Sequence, residues 1–166
     1  MWGFQLWVNL PAAQKLTRPR YQDLPPERIT EVTADGARVR LVAGELGGER
    51  GPVDGIVTAP TMLDVELAAH ERFTHAIPAA HNAFVYVVQG AAEIGSARRP
   101  VHAGQLAALG RGGFAAVRTT DGARFLLVAA MPIGEPVARY GPFVMNTDEE
   151  IRQAITDYRA GRLTES

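Results

Sequence analysis

The sequence predicts a small antiparallel β-barrel closed by one C-terminal helix, and three observations carry that expectation. Eight short stretches of strand-like pattern follow one another between residues 37 and 130. Turn residues punctuate them: Asp35-Gly36, Gly90 and Asp121-Gly122, which supply the positive backbone angles of tight turns. No helical periodicity interrupts them, and one capped amphipathic stretch stands near the end, so the strands have each other as packing partners rather than crossover helices.

Taken in order, residues 3–10 read as a strand with two apolar faces, Phe4, Leu6 and Val8 on one side and Trp7 on the other, broken by Gln5 and Asn9. From 11 to 36 the pattern is lost. Pro11, Pro19, Pro25 and Pro26 among charged residues describe an extended linker, which detaches the first strand from the rest. Strands are expected at 38–42, 54–58, 62–67, 84–89, 91–94, 105–109, 114–118 and 124–130. The run 110–113, Gly-Arg-Gly-Gly, reads as a hairpin turn. A helix over about 148–160 completes the domain of residues 37–166. Thr147 and Glu150 form a capping box, Ile151, Ala154, Ile155 and Tyr158 make one apolar stripe, and Gly161 stops it.

Composition narrows the function classes. A chain of 166 residues suits one core, and 46% hydrophobic against 21% charged residues is the balance of a folded protein. Seventeen basic and eighteen acidic residues give a net charge of -1, which argues against nucleic acid or an anionic membrane as partner. With no cysteine, disulfides, thiolate metal sites and cysteine nucleophiles are excluded. The first ten residues lack the basic leader and cleavage site of a signal peptide, and no apolar run is long enough to span a bilayer, so the cytoplasm is the expected compartment. The serines, Ser96 and Ser166, lie in no nucleophile elbow, and 110–113 lacks the lysine of a phosphate loop.

Three segments together resemble the pirin family: GFQLWVNLPAAQKLTRPRYQDLPPERI at 3–29, the barrel-like middle, and EPVARYGPFVMNTDEEIRQAI at 135–155, which is the most specific. The resemblance implies a cupin-type, jelly-roll-like barrel and covers the chain as the C-terminal half of a two-barrel protein. Residues 3–10 then correspond to the last strand of an N-terminal barrel. The family's iron, on three histidines and a glutamate of that N-terminal barrel, and the quercetin 2,3-dioxygenase activity of some members would lie outside this chain. The reading is therefore a non-catalytic module acting by contact, as an interaction, regulatory or domain-completing protein. The alternative is part of a metal-dependent quercetin 2,3-dioxygenase-like protein whose iron site the other half supplies.

The residues themselves predict no metal site and no cofactor. His70, His75 and His81 are five and six apart in a loop-like stretch with Pro78, and His102 sits in a turn before the apolar run 106–109. A metal-binding barrel needs two histidines two apart on one strand and another on a late strand. A barrel mouth can still take a small molecule, with Glu66, His75, His81, Tyr86 and Glu93 as the candidate polar lining. The expected contact surface is Phe4, Leu6 and Val8 with the stripe Ile151, Ile155 and Tyr158. Its partner would be a second copy of the chain or a separate N-terminal cupin chain.

Overall fold

The computed structural model describes residues 3–34 and 36–163. They form two compact units: Asp23–Pro132, and a smaller one in which Met1–Gln22 joins Ile133–Ser166.

The larger unit is the barrel. Its strands are β1 (Thr30–Ala34), β2 (Ala37–Ala43), β3 (Glu45–Leu46), β4 (Glu49–Arg50), β5 (Thr61–Leu67), β6 (Arg72–Ala76), β7 (Asn82–Ile94), β8 (Arg99–His102), β9 (Leu106–Ala108), β10 (Phe114–Arg118) and β11 (Ala123–Ala130). The main sheet runs β1-β2-β5-β11-β7-β10-β6, with β8 and β9 also on β7, and every ladder in it is antiparallel. β7 makes the barrel possible. Its first nine residues pair with β11 and β9, and from Ala91 onward it pairs with β8 and β10, so one strand belongs to two curled layers.

The change of layer falls at Gly90. Its φ of 74° suits glycine, and a Cβ there would lie 2.3 Å from the Gly122 carbonyl oxygen, inside any tolerable contact. The sequence pattern puts two strands here, 84–89 and 91–94; they are one strand with its bend at the glycine. Gly122, at φ 94°, turns the chain between β10 and β11, which are not ladder partners but flank β7 on different layers. Likewise 110–113 joins β9 to β10, two strands that do not pair. Neither connection is the hairpin that its residues suggest, because β7 intervenes in both.

Alternation writes the core directly. Val39, Leu41, Leu63, Val65, Phe73, Val85, Val87, Val117, Phe125 and Leu127 are essentially sealed from solvent, every second residue on its strand facing inward. At roughly 25 cal/mol per Å² of apolar surface, each such side chain contributes about 1.5–3 kcal/mol. In β11 both faces are buried, and Leu126 and Val128 lie outside the interior cluster. This central strand accordingly reads as an unbroken apolar run.

Several expectations need correction. Residues 3–10 form no strand. The supposed linker contains β1, hidden by its polar composition, which pairs with β2 so that Ala34 opposes Ala37 across a two-residue connection containing Gly36 at φ 70°. Residues 54–58 form no strand, since Gly55 and Ala59 both take positive φ and Ala59 N–H donates to the Ile56 carbonyl in a turn. Only Val53 bridges, to Ala43.

The smaller unit is built on β12 (Ala138–Tyr140), β13 (Phe143–Met145) and the helix α1 (Asp148–Arg159). The two strands form a hairpin across which Tyr140 opposes Phe143. The capping box forms as the residues predict: Glu150 N–H donates to Thr147 Oγ1 at 3.2 Å, and Thr147 N–H donates to Glu150 Oε2 at 2.9 Å. Ile151 and Ala154 are buried, and the Tyr158 ring meets Phe143 edge-on at 5.8 Å. Glu135 ties the unit's two segments together, its Oε2 accepting from Ala12 N–H at 2.7 Å and from Asn146 Nδ2 at 2.8 Å.

Candidate functional site

His75 is the titratable side chain that the fold sets into the barrel. The segment read as a loop is β6, and Phe73, His75 and Ile77 alternate inward at period two, a signal present in the sequence and masked by nearby Pro78. β6 pairs with β10, so that His75 stands opposite the sealed Ala115. The imidazole lies parallel to the Phe73 ring at 6.4 Å, and Phe73 meets Phe125 at 6.1 Å. Burial pushes the His75 pKa below its ordinary value, which keeps the ring neutral near pH 7. Among the described residues it has no hydrogen-bond partner.

Beyond His75 the chain leaves an open pocket of about 410 Å³ between β6 and the β3–β4 hairpin, lined by Glu45, Leu46, Thr61, Thr74, His75 and Pro78 among others. One neutral imidazole, two hydroxyls, apolar walls and a Glu45 carboxylate already paired with Arg50 at 3.4 Å suit an uncharged or weakly polar small molecule. Deeper in, the barrel is filled by Phe73, Phe125, Leu63 and Leu127.

The five candidate lining residues do not converge. Glu66 faces outward on β5, where it is paired with arginines. Tyr86 is half-buried on β7, between the inward Val85 and Val87. Glu93 lies beyond the Gly90 bend in a different groove. His81 closes a turn, its N–H donating to the Pro78 carbonyl at 2.8 Å, and its Nδ1 is buried without a hydrogen-bond partner. His102 ends β8 rather than occupying a turn. Among the described residues no three His, Asp or Glu side chains are placed to hold a metal ion, so a donor set of three histidines and a glutamate does not fit the residues described.

The contact candidates fall in the smaller unit. Phe4, Leu6 and Val8 are 37–47% exposed and Trp7 60%, a run of apolar side chains in water. Ile151 is buried, Ile155 half-buried and Tyr158 exposed, so half of the helix stripe is used within its own unit.

The Asp64 cluster on the outer face of β2, β5 and β11 escaped the sequence reading. Arg124 donates to both carboxylate oxygens of Asp64, at 2.9 and 2.6 Å, and Arg40 to one at 3.2 Å. Arg38 is paired with Glu66. Burial alone would raise the Asp64 pKa, but hydrogen bonding and attraction from Arg124 and then Arg40 outweigh it and hold the carboxyl below its usual value. The Arg38 hydrogen bond does the same for Glu66. The signal was the register: Arg38 opposes Glu66 and Arg40 opposes Asp64.

Residues 62–164 match the family model of the pirin C-terminal cupin domain. A pirin-like protein of Arabidopsis thaliana is 43% identical over 94% of this chain and 53% of its own length. Human pirin is 39% identical over 95% of the chain and 55% of its own. The crystal structure of a quercetin 2,3-dioxygenase from Acinetobacter baumannii superposes with a TM-score of 0.86 at 31% identity, over 95% of this chain and 55% of that one. The chain thus spans about half the length of the relatives it matches. With an antiparallel curled barrel, a capped C-terminal helix and these relatives, the chain belongs to the pirin family, within which it carries the C-terminal cupin domain.

Proposed function

We propose that this cupin unit is non-catalytic and acts by contact, as the half of a pirin-like protein that completes or regulates its partner. The packed interior carries this reading: Phe73, Phe125, Leu63 and Leu127 fill the barrel with apolar side chains, and among the described residues no three carboxylates or histidines are placed to hold a metal ion. The exposed Phe4, Leu6, Trp7 and Val8, with Tyr158, supply the contact surface. The partner is a second copy of the chain or an N-terminal cupin barrel. The cytoplasm is the proposed compartment; no helix among the described residues is long and apolar enough to cross a membrane.

Metal content by plasma mass spectrometry, on protein purified without chelators, tests this. Far less than one metal per chain is expected. Near-stoichiometric iron, nickel or zinc would overturn the proposal. Light scattering at micromolar concentration is expected to show a dimer, and a monodisperse monomer would leave the N-terminal barrel as partner.

The likeness to the Acinetobacter quercetin 2,3-dioxygenase favours a second reading, in which the chain is the companion half of such an enzyme. Oxygen consumption with quercetin by an assembled two-barrel protein decides it; no turnover from a metal-loaded assembly would sink it.

A further inference from the structure

We propose that the groove across the outer face of β6, β10 and the end of β7 is a binding site for a compact oxyanion, in class a phosphate monoester. The groove holds about 340 Å³ and is lined by His70, Glu71, Arg72, Glu93, Arg98, Arg118, Thr119 and Thr120. Its geometry follows from register. Arg118 directly opposes Arg72 on one side and Glu93 on the other, which sets two arginines side by side on the outer face of one ladder. Like charges directly opposite one another destabilise a sheet, so this juxtaposition needs a counter-charge.

Glu93, across the ladder from Arg118, does not close on it. Among the described residues Arg72, Arg98 and Arg118 form no ion pair, in contrast to Arg38, Arg40 and Arg124 on the other layer. Two rim residues, His70 at φ 65° and Arg98 at φ 47°, take left-handed backbone conformations that side-chain-bearing residues seldom adopt. The fold secures both: His70 N–H donates to the Thr120 carbonyl at 3.2 Å, and Arg98 N–H donates to the Gly95 carbonyl at 3.2 Å. The groove floor is fixed by buried Thr119, whose hydroxyl donates to the Ala91 carbonyl at 2.8 Å.

Guanidinium groups clamp phosphate and carboxylate oxygens in bidentate geometry, and two opposed on a rigid ladder form a ready clamp. Glu71 and Glu93 set the rest of the ligand. With histidine counted neutral, the lining carries one positive charge in excess, so a bare polyanion is disfavoured. A phosphate ester with hydroxyl groups satisfies both parts, its phosphate on Arg72 and Arg118 and its hydroxyls donating to the carboxylates.

The test is an amide NMR titration of the full chain with inorganic phosphate and with glycerol 3-phosphate, ionic strength held with sodium chloride. Saturable shifts are expected at residues 70–72, 93–98 and 118–120, with glycerol 3-phosphate several-fold tighter. The double variant R72Q/R118Q should weaken binding at least tenfold, while R111Q, which removes an equal charge from an exposed loop, should change it less than twofold. Shifts that never saturate, that chloride reproduces, or that survive R72Q/R118Q would overturn the site. Glycerol 3-phosphate binding more weakly than phosphate would overturn the ester assignment. Should the double variant lose its amide dispersion, R98Q alone provides the reading, with a several-fold loss expected and none counting against the site.

Discussion

The two outer faces of the barrel carry arginines at equivalent positions, every second residue of a strand, and treat them in opposite ways. On β2, β5 and β11 each arginine has a carboxylate across the ladder or diagonal to it, and Asp64 collects two of them. On β6 and β10 Arg72 stands opposite Arg118, and Glu93, across the ladder from Arg118 on its other side, forms no ion pair with it. The first face neutralises itself and belongs to the structure. The second is left with unmatched charge at a groove, where a ligand can supply what the sheet lacks. Residue type does not separate these cases; what decides is the strand brought alongside.

Gly90 is where the two faces part, so its replacement should have the largest effect. G90A must strain a positive φ and push a methyl group into the Gly122 carbonyl, and a loss of about 3 kcal/mol or more is expected by denaturant unfolding. D64A takes both hydrogen bonds from Arg124 and the shortest carboxylate contact from Arg40, leaving them Glu66, and should cost about 1–2 kcal/mol, read as a fall of a few degrees in Tm. Matching losses for D64A and D64L would show that the lost carboxylate contacts, not lost volume, set the cost.

Strong acid should undo the neutralised face. Because Asp64 and Glu66 have pKa values below the ordinary 3.8 and 4.5, their stabilisation is complete above those values and is lost as pH falls below them through the folded values. His75 adds an earlier loss of opposite chemical origin. Burial lowers its pKa from 6.5, the unfolded chain binds the proton more readily, and stability declines as pH falls from about 6.5 towards the folded value. H75F should flatten that upper part of the profile and leave the lower part intact. The smallest effect is expected on the other face: R72Q and R118Q should each change stability by less than about 0.5 kcal/mol, and in the stabilising direction, since each removes a like-charge contact. A clear destabilisation would show that those arginines have partners within the protein.

Much of this was readable along the chain. The strands at 62–67, 114–118 and 124–130 and the helix with its capping box were legible because alternation, a continuous apolar run and a Thr-x-x-Glu start are short-range signals. β1 was not, since Thr30, Glu31 and Thr33 carry no apolar face, and it is a strand because β2 pairs with it. Phe73 and His75 alternated in plain view, but a proline five residues beyond the first of them suggested a loop. The groups that matter most were the least visible: Glu66 and Glu93 look alike on their strands, yet one is held by Arg38 and the other stands in an open groove.

Length, charge balance and the absence of cysteine, with alternation and caps, were enough for an antiparallel barrel and one C-terminal helix, because such signals act over a few neighbouring residues. Which sheet layer a residue faces, and which charge stands 5 Å away across a ladder, depends on register between segments tens of residues apart. Arg124 reaches Asp64, and Arg118 comes to stand opposite Arg72, only after β11 and β10 have taken their places. Long-range pairing, which no local pattern encodes, divides this barrel into a self-satisfied face and a receptive one.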